Sequence, residues 1–133
     1  MKHLLFLLLL APLAMVAHPP LDDAPPSMDR IIKAISTGDA ATLSSFFDET
    51  VELSILENED IYSKPEATAV VKKFFAGHAP SGYSQVHEGT SKGNDSRYSI
   101  GNLTAGGKTF RVYVYTKEAG GTVLIQELRF DAE

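Results

Sequence analysis

From Met28 onward apolar residues recur at helical spacing, as Met28, Ile31, Ile32 and Ile35. Ser27 stands where an N-cap belongs, Asp29 falls in the first turn and Gly38 provides a stop. Asp39 is placed to cap a short second helix with Leu43, Phe46 and Phe47 on its buried side. The period then switches to two. Val51, Leu53 and Ile55 share one face of a strand, and Glu52 and Ser54 the other. Glu57 to Asp60 read as a polar turn, and Asp60 to Tyr62 as a short paired strand. In the run Ser63-Lys64-Pro65-Glu66, serine and glutamate have the spacing of a capping box, with proline near the first helical position. The helix it opens carries Ala67, Val70, Val71, Phe74 and Phe75 and stops at Gly77. Four strands follow, over 83–90, 96–104, 108–117 and 122–130, joined by turns rich in glycine and asparagine.

Helices first and a meander last predict an α+β domain in the order α-α-β-β-α-β-β-β-β, its helices packed on one face of a curved, mostly antiparallel sheet. Alternation then assigns the faces. Phe110, Val112 and Val114 fall together, as do Leu124, Leu128 and Phe130; with Val51, Leu53 and Ile55 they line the helix side. Gln126 is the one polar residue in these inner sets, and an amide does no acid–base work near neutral pH. The outer faces carry Arg111, Tyr113 and Tyr115, then Glu127 and Arg129. An Arg111–Glu127 cross-strand pair is expected there, and the Tyr/Arg content fits a solvated face or a protein interface.

The N-terminus changes the picture of where the protein works. Lys2 and His3 precede an apolar run from Leu4 to Leu13, broken only by Pro12, and the small residues Ala14 and Ala17 follow. This order predicts a signal peptide over residues 1–17, cleaved near Ala17, since a membrane span needs about 20 apolar residues. Residues 18–27 hold four prolines and read as an extended linker, leaving 28–131 as the domain. The expected destination is the periplasm or the cell exterior. The chain has no cysteine, so neither a lipid anchor at a cleavage-site cysteine nor a disulfide is available, and no membrane anchor is expected after cleavage. The net charge of −5, without a basic stripe, argues against nucleic acid as a partner.

The element order resembles the NTF2-like fold, a cone-shaped sheet around helices shared by ketosteroid isomerase and the SnoaL-like cyclases. The segments SMDRIIKAISTGDAATLSSFFDETVELSIL, IYSKPEA, FFAGHAP, HEGTSKG, YSIGNL, FRVYVY and LIQELRF are similar, over residues 28 to 130, to the Bacteroidetes domain of unknown function 4783. That resemblance implies fold and export, and carries no catalytic residue. Enzymes of the wider fold place a carboxylate or histidine inside the cone, whereas the inner sets here contain none. Candidate pocket residues are Gln126 on the inner wall and Asp60, Tyr62 and Tyr98 near the mouth. His78 and His87 do not have metal-ligand spacing, and phosphate-binding, nucleophile-elbow and dinucleotide motifs are absent. No cofactor or metal is expected. The reading is therefore a non-catalytic module that binds a small apolar ligand in the cone, or a partner or second copy through Arg111, Tyr113, Tyr115, Glu127 and Arg129. The alternative is a small lyase or isomerase acting on an apolar molecule in the same pocket.

Overall fold

The computed structural model describes residues 26–91, 93 and 95–133. The expected signal peptide lies outside the described residues, as does the linker up to residue 25.

Helix α1 (Ser27–Thr37) buries Met28, Ile31 and Ile35, as their spacing predicts, together with Ala34, while Ile32 is partly buried at the edge of the stripe. Its cap differs from the expected one. Pro26 occupies the N-cap position, Ser27 is already helical, and no side chain accepts from the first turn. Gly38 closes the helix in the left-handed conformation at φ 70°. Asp39 caps α2 (Ala40–Ser45) as predicted, accepting from the backbone N–H of Thr42 at 3.0 Å and from its hydroxyl at 2.6 Å. Phe46 and Phe47 are not part of α2: Phe46 is its C-cap and Phe47 opens strand β1 (Phe47–Ile55). After β2 (Asn58–Ser63), the Ser63 side chain accepts from the Glu66 N–H at 3.4 Å and starts α3 (Lys64–Gly77), with Pro65 in its first turn. The chain then runs through β3 (Pro80–Thr90), β4 (Ser96–Ala105), β5 (Lys108–Ala119) and β6 (Thr122–Ala132). The β4–β5 and β5–β6 turns place Gly106, Gly107, Gly120 and Gly121 at positive φ, as two-residue hairpins require.

One six-stranded sheet results, in the order β2-β1-β6-β5-β4-β3, antiparallel except where β1 meets β6. The helices close over its concave face. Phe74 of α3 meets Phe110 edge-on at 5.3 Å and Phe130 at 4.7 Å, and Phe75 meets Phe130 at 6.1 Å. Truncating any one of these rings costs about 3–5 kcal/mol by the usual core arithmetic. Val51, Leu53, Phe110, Val112, Val114, Leu128 and Phe130 are all buried, so three of the predicted inner faces hold over most of their length.

The last strand changes phase partway. Tyr115 pairs with Glu127, but Thr116 pairs with Ile125, so Gln126 is the extra residue of a β-bulge. Beyond the bulge Ile125, not Leu124, faces the core and is fully buried. Gln126 therefore leaves the inner wall. Its amide donates to Asp48 Oδ2 at 2.7 Å, at the place where the β1–β6 register also shifts, between Phe47 and Glu52. The bond joins the two irregular segments of neighbouring strands.

Candidate functional site

An open cleft of about 700 Å³ lies between the β1–β2 hairpin and α3. The sheet register explains its walls. Asn58, Asp60 and Tyr62 stand opposite Ile55, Leu53 and Val51, so these three side chains share the concave face. Val70, Lys73, Phe74 and Gly77 of α3 face them, His78 closes one end, and Leu53 and Ile55 form the floor. The floor and both lower walls are apolar, while the rim is polar.

Two features mark the cleft off from ordinary surface. Leu56, in the turn of the hairpin, has φ 59°, the sole non-glycine residue at positive φ among those described. A branched aliphatic residue in that conformation costs about 1–3 kcal/mol and persists where its surroundings fix it. Here the Leu56 N–H donates to Phe130 O at 2.8 Å, and the side chain, 40% exposed, lines the cleft. The second feature is His78. Its ring stacks on Phe74 at 4.6 Å and meets Phe110 edge-on at 5.4 Å. Its Nδ1 lies 3.1 Å from Phe74 O. A carbonyl can only accept, so Nδ1 is the donor of this contact and the ring is held in place against α3.

The structure sorts the candidate residues into three places. Asp60 and Tyr62 line the cleft. Gln126 does not, being held at the bulge by Asp48. Tyr98 does not either: it lies on the convex face, 6.4 Å from the Tyr113 ring and 5.6 Å from His87, flat over Gly89, where a Cβ would come within 2.5 Å of the ring. Lys73, Val70, Phe74, Leu56 and Glu57 complete the cleft, and the sequence pattern marks none of them as a site residue: Val70 and Phe74 read as the buried side of a helix and Glu57 as part of a turn. The signal that could have found them is the adjacency of a polar hairpin tip to the next helix in the chain.

The convex face is laid out differently from the expected pairing. Arg111 stands opposite Asp131 and binds Glu133 at 2.8 Å, whereas Glu127 stands opposite Tyr115. Arg129 is the hub, with Glu127 at 3.3 Å, Glu59 at 3.8 Å and Asp131 at 3.9 Å. Glu127 beside Glu52 raises the Glu52 carboxyl above its ordinary value. Burial raises the Tyr113 phenol, with Glu127 adding to the effect. The charges on this face largely satisfy one another.

No Asp, Glu or His is among the buried residues described; the buried polar side chains are Ser44, Ser54, Ser96, Ser99 and Thr116. Among the described residues no three His, Asp or Glu side chains converge as a metal site, and no helix is long and apolar enough to cross a membrane.

Residues 28–131 match the family described as a domain of unknown function, DUF4783. A member from Bacteroides ovatus is 28% identical, with a TM-score of 0.73 over 78% of this chain and 93% of that one. Another, from Bacteroides fragilis, is 26% identical, with a TM-score of 0.73 over 84% of this chain and all of that one. An NTF2-like protein from Cytophaga hutchinsonii, 15% identical, superposes with a TM-score of 0.59 over 80% and 93% of the two chains and shares the fold alone. No curated protein matches. The bulged sheet, the helices over its concave face and these likenesses together make the chain a member of the DUF4783 family with an NTF2-like α+β fold.

Proposed function

We propose that the protein is a non-catalytic binding module that holds a small ligand with an apolar body in the cleft between the β1–β2 hairpin and α3. One observation carries this reading: the cleft, of about 700 Å³, is open to solvent and floored by Leu53, Ile55, Val70 and Phe74. That volume is in the range of ordinary small-molecule sites, about 300–1,000 Å³. A lyase or isomerase would instead draw on a desolvated carboxylate or imidazole, and the buried polar residues described are serines and a threonine. The work is done outside the cytoplasm, on the strength of the N-terminal sequence pattern. A second copy meeting the convex face is the lesser reading, because the Arg129 network already pairs the charges that would have to be desolvated there.

The test uses the uncharged fluorescent probe N-phenyl-1-naphthylamine. Saturable binding is expected, and it should be abolished in Val70→Trp, whose indole fills the cleft from α3. Equal binding by the folded variant would overturn the assignment of the cleft. Light scattering of the purified domain checks the second reading.

A further inference from the structure

We propose that the ligand of this cleft is a short peptide-like zwitterion, with a free ammonium, a free carboxylate and apolar side chains. The proposal rests on the cleft reading above and adds the chemistry of the head groups.

The rim carries charges of opposite sign on opposite walls. Glu57 and Asp60 belong to the hairpin, and Lys73 to the helix. The ion pairs among the described residues all involve Arg111 or Arg129, so neither carboxylate is bonded to Lys73 across the gap. Glu59, also at the rim, is different: it stands opposite Ser54 on the other face and turns to Arg129 at 3.8 Å. One Asp60 oxygen accepts from the Ile61 N–H at 2.8 Å, which orients the carboxylate and leaves Oδ2 for a ligand. Both walls are held from behind. Asp60 is fixed in the β1–β2 register, and Lys73 precedes Phe74, which is locked between Phe110 and Phe130.

These charges select among ligand classes. A neutral apolar molecule can use the floor alone and leaves both charged walls unanswered. A ligand of one charge would answer one wall and meet its own sign on the other. A zwitterion complements both. A single amino acid carries its two charges on one carbon, whereas a dipeptide separates them by about two residue lengths, roughly 7 Å. Its side chains would lie on Leu53, Val70 and Phe74, with the His78 ring closing the end of the cleft.

Calorimetric titration with Leu-Leu, N-acetyl-Leu-Leu and Leu-Leu amide tests the proposal. Leu-Leu should bind, and blocking either end should weaken it about tenfold or more, as loss of a charge-assisted hydrogen bond does. Asp60→Asn should weaken Leu-Leu but not the N-acetyl form, whose lone carboxylate is relieved of a like charge. Lys73→Gln should weaken Leu-Leu but not the amide, for the same reason with the signs exchanged. These opposed responses would not follow from a structural role of either residue. Equal affinity for the three probes, or no binding of Leu-Leu, overturns the proposal. If Leu-Leu fails while the naphthylamine probe still binds in a Val70-dependent way, the zwitterion is wrong and the cleft stands. If neither binds, both readings fall.

Discussion

Gly101 and Tyr83 offer a test of how the concave face is packed, because their coupling should reverse the sign of one substitution. Tyr83 stands opposite Leu103 in the β3–β4 pairing, and its ring leans diagonally over Gly101. A Cβ on Gly101 would lie 2.1 Å from the Tyr83 hydroxyl oxygen and 2.2 Å from Cζ. Ordinary contact begins near 3.4 Å, so the ring tip would have to retreat by about 1.3 Å. It has little room, since the hydroxyl oxygen is buried. Gly101→Ala should therefore destabilise by about 1–3 kcal/mol, the usual cost of overpacking. In a Tyr83→Ala background the obstacle is gone. Gly101 is not at positive φ, so alanine fits the strand there and should stabilise by about 0.4–1 kcal/mol through the unfolded chain. The coupling is then about 1.4–4 kcal/mol, above the scatter of additivity. Urea denaturation of the four proteins measures it; the double variant should stay folded, since domains of this size hold about 5–15 kcal/mol. An equal cost of Gly101→Ala in both backgrounds would refute the packing described.

Other consequences follow from single contacts. Asp48 is held below the ordinary aspartate value of 3.8 by the Gln126 amide and then by the Glu49 N–H, so its contribution is present above that pH and lost as pH falls through the lower folded value. Gln126→Leu should lower the melting temperature at pH 7 and converge on the wild type in acid; a pH-independent difference would show that the bond carries none of the effect. Glu52 is raised, chiefly by Glu127, so it is best tolerated when protonated and costs stability as pH rises through its folded value. Glu52→Gln should raise the melting temperature at pH 7 and lose that gain in acid, and a loss at pH 7 would contradict the like-charge contact. Leu56→Gly should relieve strain by about 1 kcal/mol yet weaken binding of the naphthylamine probe, measured by denaturation and fluorescence side by side. Asp39→Ala should cost about 1 kcal/mol by removing a true cap, whereas Ser27→Ala should be nearly neutral, because Ser27 caps nothing.

The features legible in the sequence were those set by short-range chemistry. The Asp39 and Ser63 caps, the hairpin glycines and the period-two runs each depend on a few adjacent residues, and each appears where its pattern places it. The assignment of faces failed at Leu124 and Gln126 for a definable reason. Counting back by twos from Phe130 puts Gln126 and Leu124 inside, and that count is valid only in an unbroken ladder. A bulge shifts the parity, and nothing in the run Thr122 to Phe130 announces one. Parity is unbroken between β1 and β2, where no bulge intervenes: Asp60 and Tyr62 face the cleft because they pair with Leu53 and Val51. Tyr98 was misplaced by a different route. Its face is set by the unbroken β4–β5 register, which puts it opposite Tyr115 on the convex side, and the register shift in β3 between Gln85 and His87 brings Gly89 beneath its ring. The cleft itself was out of reach of periodicity, since its two charged walls come from a turn and a helix surface, each of which taken alone reads as solvated. What makes them a site is the empty space between them, and that follows from where Phe74 anchors the helix against Phe110 and Phe130. The binding proposal accordingly depends on the hairpin and α3 keeping their separation, which places the strained Leu56 turn at the centre of any account of how the cleft stays open.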